Sequence, residues 1–65
     1  MFQTAYFENG KMVDNQDVSQ DTLLMCFDDY QQGTRLVSMA IQQPGKWFPV
    51  DEDGTMFQYM EDIKE

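Results

Sequence analysis

The chain has 65 residues, twelve acids against four bases and no histidine, for a formal net charge of −8. At 42% hydrophobic and 14% aromatic it is too apolar for a disordered tail, and its length allows one compact domain, 1–65, near the lower size for a core without staples. So acidic a surface repels nucleic acid and anionic lipid, which excludes direct binding to either and makes its natural partners basic.

The opening M-F-Q-T-A-Y-F is aromatic and uncharged and reads as a strand. Asn9-Gly10 follows, the strongest short hairpin signal, because both residues tolerate positive φ. The return strand is expected to be short, 11–13, with 14–21 a loop or helix entry. Ser19 or Asp21 then caps a helix that Gly33 closes. Leu23, Cys26, Phe27 and Tyr30 recur at i, i+3, i+4 and i+7 and form its buried stripe. Asp28 and Asp29 fall late on that helix, facing solvent at the end its dipole disfavours.

T-R-L-V-S-M-A-I-Q-Q reads as a strand, with Val37, Met39 and Ile41 on one face. Pro44-Gly45 signals a type II turn, W-F-P-V an edge strand and D-E-D-G another turn. Residues from Thr55 give a strand that passes into a helical or loose tail. The fold class expected is α+β: a small antiparallel sheet, hairpin plus meander, with one helix packed on a face. Its core is expected to hold Leu23, Phe27, Tyr30, Val37, Met39, Ile41, Trp47 and Phe57.

Catalytic chemistry finds little here. Without histidine the usual neutral-pH base is missing, and neither Ser19 nor Ser38 sits in a nucleophile motif. The single cysteine, Cys26, permits no internal disulfide and lies on the expected buried stripe, as a small hydrophobe. With no secretory segment, and no run near the ~18 apolar residues of a membrane span, the expected compartment is the cytoplasm. Asp51, Asp53 and Thr55 alternate as calcium ligands do, but glycine arrives at the fourth loop position and not the sixth. No metal and no cofactor is expected.

The placement of charge is the informative feature. Asp14, Asp17, Asp21, Asp28 and Asp29 form one block without a base, and Asp51, Glu52, Asp53, Glu61 and Asp62 form another. Neither block has the i,i+4 cations that make acids stabilising on a helix. A row of carboxylates can imitate the phosphates of a duplex, and on one helix Asp21 and Asp28 would stand roughly 10 Å apart.

In size and charge over the whole chain, with no motif behind it, the sequence resembles the small acidic anti-restriction and anti-CRISPR inhibitors of phages and mobile elements. That resemblance implies a non-enzymatic inhibitor, monomer or homodimer, acting in a host cytoplasm. Its partner would be a basic DNA- or RNA-binding protein, such as a defence nuclease or CRISPR effector subunit. The expected contact surface is Asp21, Asp28, Asp29, Asp51, Glu52 and Asp53. The alternative is a small interaction or regulatory subunit that uses exposed aromatics and methionines.

Overall fold

The computed structural model describes residues 1–61. Strand β1 (Phe2–Glu8) turns through Asn9 (φ 54°) and Gly10 (φ 79°) into β2 (Lys11–Val18). Two successive positive φ values match the twist of the flanking strands, which is why this dipeptide makes the hairpin. The return strand is longer than its sequence suggests. D-N-Q-D-V pairs with β1 out to Phe2↔Val18, with one irregularity where Tyr6 faces Asp14, Phe7 faces Met12 and Val13 is the extra residue. Polar residues are accepted because β2 is a sheet edge, exposed from Lys11 to Asp17.

The single expected helix is two. Ser19 caps α1 (Gln20–Met25), its hydroxyl accepting from the Thr22 amide at 3.2 Å. After the helix ends at Cys26, a new helix α2 (Tyr30–Gln42) starts from Asp29. The segment expected to be a strand at 34–43 is therefore mostly helix. Gly33, Leu36, Val37 and Ala40 define its inner face, with Gly33, Val37 and Ala40 buried. Gly33 lies inside this helix and does not close one. The Phe27 ring occupies the space a side chain would need: a Cβ built on Gly33 would stand 2.7 Å from Phe27 Cδ2.

The remaining turns fall where the sequence puts them. Gly45 (φ 89°) follows Pro44, then β3 (Phe48–Pro49) and β4 (Thr55–Tyr59) flank the turn at 50–54. The sheet order is β2-β1-β4-β3, with every neighbouring pair antiparallel. The architecture is α+β, but the meander is interrupted: β4 inserts between β1 and β3. The expected tail beyond Glu61 lies outside the described residues.

Cross-strand pairs share a face, so Phe2, Thr4, Val18, Phe48, Phe57 and Tyr59 look toward the helices. There Phe2, Phe48 and Phe57 meet Leu23, Val37 and Ala40 in the core. Phe57 is its centre, with ring centroids 5.7 Å from Phe27, 5.9 Å from Phe48 and 6.3 Å from Phe2. Gln3, Ala5, Phe7, Met56 and Gln58 occupy the other face, where Gln58 Nε2 donates to Gln3 Oε1 at 2.8 Å and Phe7 stands edge-on to Trp47.

Of the eight expected core residues, Leu23, Val37 and Phe57 are buried, while Phe27 and Trp47 are half-buried. Tyr30, Met39 and Ile41 are exposed, because the helix turns them away from the sheet. The same correction applies to Cys26, which is exposed past the end of α1, its thiol 3.5 Å from the Thr22 carbonyl oxygen. Among the described residues no helix is long and apolar enough to cross a membrane.

Candidate functional site

Five of the six acids expected to act together line one open groove. Asp28 and Asp29 come from the α1–α2 junction, and Asp51, Glu52 and Asp53 from the β3–β4 turn. The concavity measures about 680 Å³ and includes Phe27, Leu36, Pro49 and Val50 among its walls. Among the described residues no Lys or Arg lines it. Asp21 is not part of it. It sits in the first turn of α1, exposed, and shares no helix with Asp28. A single helical row from Asp21 to Asp28 is thus replaced by an acid pair and an acid triplet meeting across a groove.

The carboxylates are not equivalent. Asp29 Oδ1 accepts from the amides of Gln31 at 3.0 Å and Gln32 at 3.3 Å, which makes it the N-cap of α2. Its position relative to a helix dipole is therefore favourable, the reverse of the expectation from one long helix. Asp51 is also committed, accepting from the Asp53 amide at 2.9 Å and the Thr55 amide at 3.2 Å. Val50 N–H donates to Thr55 O and closes the turn beneath it. Asp28, Glu52 and Asp53 are exposed, and their side chains accept none of these capping and turn bonds. Among the described residues they make no side-chain hydrogen bond.

Asp29 gives a direct test of this division of labour. Asp29→Ala removes the acceptor and should destabilise the protein by about 1 kcal/mol, whereas Asp29→Asn keeps a cap oxygen and should cost far less. Urea denaturation of both variants measures the difference. Equal loss in the two would mean that Asp29 acts through its charge and not as a cap.

The apolar wall and Gln32 were not among the expected site residues. The signal for Gln32 lay in the D-Y-Q-Q stretch, where Asp29 can cap the backbone amides that follow it; the apolar wall had no local signal. The D-E-D-G-T turn likewise carries an aspartate whose side chain can bond the backbone two residues on. Among the described residues no three His, Cys, Asp or Glu side chains form a group able to hold a metal ion. What the groove offers is a concave negative surface with an apolar wall, suited to a cationic and partly apolar partner. Compared with protein-family models, with curated proteins and with solved structures, the chain matches none.

Proposed function

We propose that this protein is a non-enzymatic acidic inhibitor that occupies the basic, DNA-binding surface of a nucleic-acid-binding protein and keeps DNA out. One observation carries the reading. Two acidic segments distant in sequence, 28–29 and 51–53, meet at one open groove whose lining, among the described residues, includes no cation. Like charges brought together in this way repel one another, so the arrangement is unfavourable to folding and supports a role outside it. Asp29 and Asp51 hold the backbone, and Asp28, Glu52 and Asp53 present charge to the partner.

The test begins with capture of a partner from host lysate at low salt, followed by competition between this protein and duplex DNA. Wild type is expected to displace DNA, with an affinity that falls as salt rises. The variant Asp28→Asn/Glu52→Gln/Asp53→Asn should bind at least about tenfold more weakly, because it loses three contact charges and keeps both backbone anchors. Equal affinity of variant and wild type, or simultaneous binding of DNA and this protein, would sink the proposal.

A second reading draws on the exposed apolar side chains of the helical layer. Met25 is 85% and Tyr30 67% exposed, and Met39 and Ile41 are exposed as well. A regulatory subunit docking through these residues would bind as well at high salt as at low, and Tyr30→Ala would weaken it where the charge variant would not.

A further inference from the structure

We propose that the free edge of β2 takes an extended, Lys- or Arg-bearing segment of a protein partner as an added strand of the sheet. This surface lies at the opposite end of the strand order from the β3–β4 turn that builds the groove, and the inference does not rest on the reading of the groove. The two sheet edges are built differently. β3 is two residues long and ends in Pro49, which has no amide to offer an incoming strand. β2 runs for eight residues, about 26 Å of strand at 3.3 Å per residue, with one side of its backbone unpaired among the described residues. Residues 11–17 are exposed, and Val18 alone of the strand packs against the core.

An open edge of this length is a template for another chain unless something repels it. Asp14 lies on the helix side of the strand, in register with Tyr6, and Asp17 on the other side, in register with Gln3. The strand thus carries an acid on each face against one cation, Lys11, which is in register with Glu8, so the edge is net negative. In a protein of net charge −8 these acids repel a second copy of the same edge but attract a strand carrying cations. They work as a filter for the sign of the incoming strand. The extra residue Val13 opens a shallow concavity of about 240 Å³ bounded by Met12, Val13, Asp14 and Asn15. Met12 and Val13 are exposed there, ready to cover an apolar side chain between the partner's cations. Main-chain bonds would supply affinity and the alternating side chains selectivity, as in other strand-addition complexes.

The probe is a (Lys-Lys-Val-Val)2 octapeptide, the Lys-Val peptide, whose lysines fall on both faces of a strand, compared with a (Lys-Lys-Pro-Pro)2 octapeptide, the Lys-Pro peptide, of equal charge that cannot form a ladder. Amide shifts and hydrogen exchange of the isotope-labelled full chain provide the readout. The Lys-Val peptide is expected to shift and protect amides within 11–18, and the Lys-Pro peptide is expected to do neither. Asp14→Asn/Asp17→Asn should keep the native spectrum and weaken Lys-Val binding by about tenfold. Equal effects from the two peptides would reduce the interaction to bulk charge and overturn the proposal. So would responses confined to 28–29 and 51–53, or protection of 11–18 that grows with protein concentration alone, which would assign the edge to a second copy.

Discussion

Phe57→Ala is expected to leave the protein largely unfolded at 25 °C. The side chain is fully buried, and its ring meets those of Phe2, Phe27 and Phe48. Truncating such a phenylalanine costs about 3–5 kcal/mol, the transfer term plus the cavity left behind. Domains of this length draw only about 3–5 kcal/mol of net stability from a single core. The loss therefore matches the whole margin. Circular dichroism and a proton–nitrogen correlation spectrum would register it as lost sheet signal and collapsed dispersion. A cooperative melt displaced by less than about 10 °C would instead show that the aromatic cluster is not the centre of the core, since about 3 kcal/mol corresponds to at least 12 °C here.

Gly54→Ala should have the second-largest effect on stability, for two separable reasons. Gly54 holds φ at 113°, where an L side chain is strained, and a Cβ there would stand 2.6 Å from the Phe7 carbonyl oxygen. That oxygen belongs to the sheet backbone and cannot rotate aside. The Gly54 carbonyl also accepts from the Phe7 amide at 2.9 Å, so displacing the turn breaks a bond of the sheet. Strain of about 1–3 kcal/mol and a lost hydrogen bond of about 1 kcal/mol together give about 2–4 kcal/mol. Gly10→Ala is the control. Its φ is also positive, at 79°, but the space around its Cβ position is open. Thermal melts should show Gly54→Ala the less stable by at least 1–2 kcal/mol. Equal destabilisation would mean that backbone strain alone is at work and that the close approach to Phe7 is relieved.

The turns were legible because each is fixed by its own residues. Asn9-Gly10, Pro44-Gly45 and Gly54 follow from φ alone, and the adjacency of Asp51, Glu52 and Asp53 is simply read off. The stretch from Leu36 to Ile41 was not legible. Val37, Met39 and Ile41 satisfy a period of two, while Gly33, Leu36, Val37 and Ala40 satisfy a period of 3.6. The choice is made by tertiary facts: the Phe27 ring against Gly33, and Asp29 starting a fresh helix after the break at Cys26. The site shows the same division. That acids would cluster was visible from the unbalanced blocks. Which of them would meet depended on a helix break the local pattern did not reveal, and this is why Asp28 and Asp29 join the groove and Asp21 does not.

The central position of β1 sets the order in which the sheet can be completed. β1 pairs with β2 across a two-residue turn, but its other neighbour, β4, arrives from the far end of the chain, with Phe2 facing Tyr59. Closing that long loop is entropically slow compared with forming the hairpin. Until it happens, F-Q-T-A-Y-F has one bare edge, uncharged and rich in aromatic residues, the composition from which intermolecular β-aggregates grow. Each half-folded chain nevertheless carries the full charge of −8, and mutual repulsion keeps two bare edges apart while β4 is still on its way. Salt weakens that repulsion, so aggregation during refolding is expected to rise with salt before the finished sheet is disturbed.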